Sequence, residues 1–256
     1  MNIDKIEQEI ESQGFSIVKD VVTAQELEAL REQLDNALDA DIQDYGHLPG
    51  KKDWIIYDMV RRGPAFAKLL ENETMQKIFC HFLGESCILY SFTSTIMKPN
   101  IEQTTAQIHV DAPRIIPNYH AGMLMTLALD DFTEENGATY YLPGSQNRSD
   151  APSADEFYSN SVRVCRKAGD AIFFNPRVWH AGAPNNTDQV RRGVTPFAVR
   201  SFMKQRFDYP RMVNGDVLDQ LGEVGKRFLG FNTRIPASME EYYVPAEQRL
   251  YKANQG

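Results

Sequence analysis

The chain of 256 residues has an apolar fraction of 42%, a charged fraction of 24% and a formal net charge of −8 at pH 7. This composition is typical of a globular protein that is long enough to form one large core. The acidic balance argues against nucleic-acid binding, which needs a basic face. It does not exclude an anionic small molecule, because a pocket can be locally positive.

The cysteines and the chain start bear on the cellular compartment. Cys80, Cys87 and Cys165 show no Cys-x-x-Cys spacing, and such a sparse, odd set fits a reducing compartment better than a disulfide framework. The charged first ten residues lack the apolar run of a signal peptide, and no apolar stretch reaches the roughly 18 residues of a membrane span. We therefore expect a cytoplasmic protein without membrane segments.

The N-terminal part is predicted to form helices around one short strand. Helical spacing of isoleucines predicts a helix over 3–12, which Gly14 ends, and residues 15–18 are typical of a strand. Thr23 and Glu26 form a capping box that begins a helix running to about Ala40. Turn composition and further helical patterns then predict a loop over 41–52 and helices over 64–71 and 74–83.

The chain from residue 87 onward is rich in β-forming residues. It predicts short strands over 87–98, 104–111, 122–129, 138–142, 161–165, 170–174 and 194–203. The Asn136-Gly137 dipeptide between two apolar runs is a strong turn signal. We expect a mainly β protein with flanking helices, built on a double-stranded β-helix (jelly-roll, cupin-like) core. A single domain over 1–256 would comprise a mostly helical shell (1–85), the core (86–204) and a C-terminal extension (205–256).

The segment from Gln107 to Asp111 is a candidate metal site. On a strand, Gln107, His109 and Asp111 share one face, so the imidazole and the carboxylate can reach one cation. His180 offers a third ligand. Two histidines and one carboxylate form the facial triad of non-haem Fe(II) oxygenases, which leaves positions for a co-substrate and O2. A His-x-Asp triplet alone is common, and a surface histidine beside a surface aspartate is then the simpler interpretation.

Longer motifs make the metal interpretation specific. They are Gly14 to Val18, Leu83-Gly84, His109-Val110-Asp111, the run from Asn136 to Ser145, the run from Ala168 to Phe174 ahead of His180, and Arg191. With these motifs, spread over nearly the whole chain, the sequence resembles the phytanoyl-CoA dioxygenase family of Fe(II)/2-oxoglutarate-dependent oxygenases. The resemblance implies that His109, Asp111 and His180 bind Fe(II) and are the catalytic centre.

The resemblance also implies a co-substrate site. Members of the family bind the distal carboxylate of 2-oxoglutarate with an arginine about eleven residues after the second histidine, and Arg191 stands at that offset here. A planar guanidinium grips a carboxylate by two parallel, charge-assisted hydrogen bonds. Arg192 would point the other way on an extended segment and is the reserve candidate.

The sequence departs from the family at one position of the co-substrate site. Many relatives carry a serine two residues after the second histidine, whereas this chain has Gly182. Thr126 could supply a hydroxyl instead, or its hydroxyl could be satisfied within its own sheet. Gln107, on the predicted ligand face, is a further candidate to hydrogen-bond 2-oxoglutarate or to orient a ligand.

The reaction implied by the resemblance consumes 2-oxoglutarate and O2, releases succinate and CO2, and hydroxylates an unactivated C–H bond of a small molecule. Related halogenases lack the carboxylate ligand, so Asp111 favours hydroxylation, although desaturation and ring chemistry remain open. A polar or anionic metabolite would suit the aromatic and basic residues expected around the pocket, which are Trp54, Tyr57, Arg114, Tyr119, His120, Arg206, Tyr209 and Arg211.

Three alternatives stand beside this interpretation. The first is a cupin-type metal-binding protein or enzyme that uses the same triad without 2-oxoglutarate. The second is a non-catalytic binding module, which the intact triad and Arg191 argue against. The third is an enzyme acting on a macromolecule, which the acidic charge makes less favourable.

Overall fold

A computed structural model describes residues 1–51, 55–99, 107–213 and 215–249. The strands in these ranges form two antiparallel sheets. The strands are β1 (Phe15–Val18), β2 (Ile88–Met97), β3 (Gly122–Ala128), β4 (Tyr140–Tyr141), β5 (Val162–Arg163), β6 (Ala171–Phe174), β7 (His180–Ala181) and β8 (Arg191–Val199). The larger sheet has the order β1-β6-β3-β8-β2 and the smaller sheet the order β5-β4-β7.

The central strand of the larger sheet, β3, is buried on both faces. Along β3, Met123, Met125 and Leu127 belong to the apolar core that the helices share. The alternate residue Leu124 faces the smaller sheet, because side chains alternate along a strand. Tyr141 of β4 bridges the two sheets, with its ring 5.3 Å from that of Phe174 on β6. Burial on both faces explains why the sequence of β3 is apolar throughout.

The helices lie mainly before the first long strand and after the last one. The N-terminal helices are α1 (Ile3–Gln13), α2 (Ala24–Tyr45), α3 (Pro64–Leu69) and α4 (Glu73–Leu83). Helix α5 (Ala154–Asn160) lies between β4 and β5. The helices after β8 are α6 (Tyr209–Met212), α7 (Gly215–Asp219), α8 (Glu223–Phe228) and α9 (Met239–Tyr242). The capping box is confirmed, since Thr23 Oγ1 accepts from Glu26 N and the Glu26 carboxylate accepts from Thr23 N.

The predicted end of the second helix is wrong. Helix α2 continues to Tyr45, past the predicted end near Ala40. The buried Asp41 carboxylate accepts from Arg62 and forms an ion pair with Lys51, so the turn that contains it packs against neighbouring segments. This packing gives the last turns of the helix a tertiary anchor that its composition does not reveal.

Differences in the β region concern the ends of strands. The predicted strand over 104–111 begins outside the described residues, and its described part contains one isolated bridge, between His109 and His180. Strand β8 begins at Arg191 instead of at residue 194 and ends at Val199. Strand β4 contains two residues, fewer than the predicted run over 138–142.

The architecture is the predicted one, an antiparallel jelly-roll core with helices packed on the outer face of its larger sheet. The division of one domain into shell, core and C-terminal extension stays a prediction. None of the helices within the described ranges has the length and hydropathy required to cross a bilayer.

Candidate metal centre and co-substrate pocket

The two candidate histidines are brought together by the backbone. His109 N donates to His180 O and His180 N donates to His109 O, each over 3.0 Å. Asp111 follows at once, and its N–H donates to Pro176 O over 2.9 Å. One potential ligand atom from each of His109, Asp111 and His180 lies within 4.8 Å of the others. The three side chains can therefore reach a single metal ion.

Both imidazoles are oriented by the backbone carbonyl two residues earlier. Nδ1 of His109 lies 2.7 Å from Gln107 O, and Nδ1 of His180 lies 2.9 Å from Val178 O. Donation from Nδ1 leaves the lone pair of Nε2 free for a metal ion. Burial lowers the pKa of His180, which favours the neutral imidazole that binds metals.

The triad lines a cavity of about 440 Å³ that also contains Arg191. Arg191 is 4% exposed, and its guanidinium lies 4.0 Å from the centre of the Phe132 ring. One hydrogen bond, from Nη1 to Gly137 O over 2.6 Å, fixes the group, while Nε has no partner among the described residues. Burial, reinforced by the nearby Arg166 guanidinium, lowers the pKa of Arg191 to about 9, so it remains a cation at neutral pH.

The neighbouring Arg192 lies on the opposite face of the sheet. Its Nε donates to Asp130 over 2.9 Å and its Nη1 to Asp35 over 2.5 Å. Arg192 is thus paired with carboxylates, whereas Arg191 forms no ion pair among the described residues. Of the two, Arg191 is the arginine that can meet an anion inside the cavity.

The position of the Thr126 hydroxyl fits both interpretations offered by the sequence, a donor to the co-substrate and a hydroxyl bonded within its own sheet. Thr126 lines the cavity, and its Oγ1 lies 2.9 Å from the hydroxyl of Thr195, which faces it across β3 and β8. Because such a pair uses only one of its two hydroxyl hydrogens, the other can be donated into the cavity.

Gln107 does not join the pocket. Its side chain is exposed and is not part of the cavity wall, while its backbone carbonyl orients His109. The prediction assumed a regular strand, in which Gln107, His109 and Asp111 would share one face. The backbone instead makes a single bridge at His109, so strict alternation does not apply.

Several contributors to the site were not found from the sequence. Thr95 and Thr195 line the cavity, and Phe132 supports the Arg191 guanidinium. Arg177 is 7% exposed and donates to Pro113 O over 3.0 Å, to Ala112 O over 3.4 Å and to Arg148 O. Arg177 therefore anchors the segment directly after Asp111, and no sequence motif signals this contact.

The residues that the sequence analysis expected around the substrate lie in different parts of the structure. Tyr57 and Arg206 line the main cavity. Arg114, Tyr119 and His120 line a smaller cavity of about 70 Å³. Tyr209 lies in the apolar core and Arg211 forms an ion pair with Asp208, while Trp54 lies outside the described residues.

Comparisons with known proteins agree with this site. The profile of the phytanoyl-CoA dioxygenase (PhyH) family matches residues 10–193, and the chain belongs to this family. The chain is 27% identical to an uncharacterized protein of Mycobacterium tuberculosis, over 100% of this chain and 96% of that protein. It is 22% identical to the dioxygenase sphC of Aspergillus fumigatus, over 91% of this chain and 69% of that protein.

Solved structures show the same fold. EctD from S. alaskensis, crystallised with 2-oxoglutarate and 5-hydroxyectoine, has a TM-score of 0.65 and 17% identity, over 78% of this chain and 76% of that one. The epimerase SnoN, in complex with Fe3+, alpha ketoglutarate and nogalamycin RO, has a TM-score of 0.60 and 18% identity, over 77% and 83%. Family membership and the His-Asp-His group identify a non-haem iron dioxygenase that depends on 2-oxoglutarate and O2.

Proposed function

We propose that His109, Asp111 and His180 bind Fe(II), that Arg191 binds the distal carboxylate of 2-oxoglutarate, and that the enzyme hydroxylates a C–H bond of a small-molecule metabolite. Succinate and CO2 are the other products. One observation carries the proposal: the three-ligand group and a buried guanidinium without an acidic partner line the same cavity among the described residues.

The unpaired polar atoms of the cavity fit a carboxylate. Arg191 Nε and Thr95 Oγ1 are both buried without a hydrogen-bond partner among the described residues. Leaving a buried donor unsatisfied costs about 1–3 kcal/mol. An anionic acceptor would satisfy donors at this wall and would also compensate the buried charge of Arg191, which supports a dicarboxylate co-substrate.

The roles of the protein side chains follow from their contacts. Bound iron supplies the coupling of O2 activation to decarboxylation of 2-oxoglutarate. The triad holds the metal at one wall of the cavity, and Tyr141 stacks on His180 with the ring centres 5.4 Å apart, which fixes the imidazole. Phe174 covers another side of the same ring at 5.5 Å and excludes water there.

The ligand set also bears on the outcome of the reaction. Asp111 offers the carboxylate that related halogenases lack, and as a ligand it would take the place that a halide needs. Its presence beside the two histidines supports hydroxylation in preference to halogenation.

The test uses the full-length protein, without oxygen, titrated with Fe(II) and then with 2-oxoglutarate. The proposal expects a charge-transfer absorption band that requires both. An O2 pulse in the presence of a metabolite panel should then release succinate and CO2 in equal amounts and incorporate one atom of 18O2 into a product. Metal binding without any binding of 2-oxoglutarate would instead favour a cupin-type metal protein.

A further inference from the structure

We infer that the substrate of this site carries an anionic group, and that Arg206, an exposed residue of the cavity wall, binds it. The inference rests on the proposed function, because it assigns Arg191 to 2-oxoglutarate and the triad to iron. What it adds is the chemical class of the substrate and the residue that selects it.

One cationic side chain of the cavity wall has no role in binding the metal or the co-substrate. Among the described residues, the wall contains five ionisable groups that can carry charge near neutral pH: His109, Asp111, His180, Arg191 and Arg206. The first three form the metal group, and Arg191 belongs to the co-substrate. Arg206 remains, and no described carboxylate forms an ion pair with it, unlike Arg211, which pairs with Asp208.

The backbone holds Arg206 against the cavity. Strand β2 has an irregularity between Leu89 and Ser91, where its pairing with β8 shifts by one residue at Tyr90. The carbonyl of Tyr90 accepts from Arg206 N over 3.0 Å. The preceding Gln205 side chain donates to Leu89 O over 2.7 Å. The bulge therefore anchors the segment after β8 and places Arg206 at the wall, as bulges near functional sites often do.

Aromatic rings also line the cavity near Arg206. The Arg206 guanidinium lies 5.2 Å from the centre of the Tyr57 ring, which limits its orientations. Tyr90 and Phe197 line the same cavity and contact each other edge to face at 5.0 Å. Arg206 is itself exposed, and an arginine held beside aromatic faces can grip a carboxylate or phosphate by charge-assisted hydrogen bonds. An anion attached to a flat or apolar body fits this combination.

The test compares two isosteric probes, benzoate and benzamide, by calorimetry on the enzyme loaded with Fe(II) and saturated with 2-oxoglutarate in the absence of O2. Saturation keeps Arg191 occupied. We expect benzoate to bind at least tenfold more tightly than benzamide to the wild type, since hydrogen bonds between charged partners are stronger than those to a neutral group. Arg206→Gln should reduce this preference to less than threefold, and Arg206→Lys should retain part of it.

Arg114→Gln and Arg211→Gln are the matched controls, because both arginines lie outside the main cavity wall and should keep the full preference. Equal affinities for the two probes, no binding of either probe, or an unchanged preference in Arg206→Gln would each overturn the inference.

A second arm uses the metal-free protein in the Arg191→Leu background, where the co-substrate site cannot hold benzoate. A preference for benzoate that still depends on Arg206 supports the inference even if iron and 2-oxoglutarate fail to bind, so the two proposals fail separately. A preference that disappears with Arg191 and not with Arg206 assigns the anion to the co-substrate site and overturns the inference.

Discussion

Arg191 and Arg192 are consecutive on β8, and their guanidinium groups lie on opposite faces of the larger sheet, one in the cavity and one bound to Asp130 and Asp35. We expect Arg191→Leu to raise the apparent KM for 2-oxoglutarate at least 30-fold, because truncating one partner of a buried charge pair typically costs about 2–5 kcal/mol. Iron binding should persist. The measurement is succinate release as a function of 2-oxoglutarate concentration.

Arg192→Leu is the control for this variant. It removes partly exposed ion pairs, which contribute about 0–1 kcal/mol each, so the KM for 2-oxoglutarate should stay within about twofold of the wild type. If Arg192→Leu fails to bind 2-oxoglutarate and Arg191→Leu does not, the assignment of the co-substrate arginine is wrong.

Substitution of each member of the triad should abolish turnover without unfolding the protein. Because even disturbing a partner of a metal ligand weakens metal affinity about 10–100-fold, loss of a ligand in His109→Ala, Asp111→Ala or His180→Ala should cost at least that factor. His109 is partly exposed and Asp111 is exposed, so both variants should leave Tm unchanged, whereas His180 is 7% exposed and its variant should lower Tm modestly. Iron titration and thermal unfolding separate the two effects. Full activity of any one variant would remove that residue from the centre.

Asp111→Gly should open a coordination position instead of only destroying the site. Its carboxylate lies 3.5 Å from His180 Nε2, so its removal leaves two imidazoles and space beside them. We expect azide or chloride to bind the metal in this variant, which absorption and electron paramagnetic resonance spectroscopy of the nitrosyl adduct would detect. The wild-type protein is the control. A variant that takes up no anion, or no iron, would contradict this prediction.

The paired hydroxyls of Thr126 and Thr195 should act as one unit in the co-substrate pocket. If the pair donates one hydrogen to a carboxylate, either Thr126→Val or Thr195→Val should raise the KM for 2-oxoglutarate about tenfold, as expected for a hydrogen bond to a charged group. The double variant should cost clearly less than the sum of the two single changes, because both remove the same interaction. Additive effects, or none, would show that the pair serves only the sheet.

The alternation of side chains and the spacing of motifs predicted the structure correctly where the strands are long and regular. The apolar run of β3 and the opposite directions of Arg191 and Arg192 were predicted correctly, because β3 and β8 are long paired strands. The same rule failed at Gln107. The chain forms a single bridge there, at His109, and Asp111 N then donates to Pro176 O. Alternation holds only while a ladder of hydrogen bonds keeps both neighbours extended.

Contacts between distant segments could not be predicted from spacing. Phe132 lies four residues after the end of β3 and contacts Arg191 at the start of β8, and nothing in either sequence marks the pair. Thr195 could have been found from Thr126 once the pairing of β3 with β8 was known, since the two positions lie opposite each other. Such residues depend on register, which is a property of the folded sheet.

Arg177 should control metal binding through the segment that carries Asp111. Its guanidinium donates to the carbonyls of Pro113 and Ala112, while Asp111 N donates to the adjacent Pro176 O. We expect Arg177→Leu to weaken Fe(II) binding about 10–100-fold, as loss of a residue that orients a metal ligand typically does. The KM for 2-oxoglutarate, measured at saturating iron, should change little, and Arg177→Lys should recover part of the iron affinity.

The predicted loss of Fe(II) affinity must be distinguished from a general loss of stability, because three backbone carbonyls lose their donor in Arg177→Leu. Arg200→Leu is the matched control, since Arg200 also donates to two backbone carbonyls, those of His120 and Phe82, and contacts no member of the triad. Both variants should lower Tm by similar amounts, and only Arg177→Leu should lower iron affinity. Equal iron affinities in the two variants would show that Arg177 stabilises the fold without positioning Asp111.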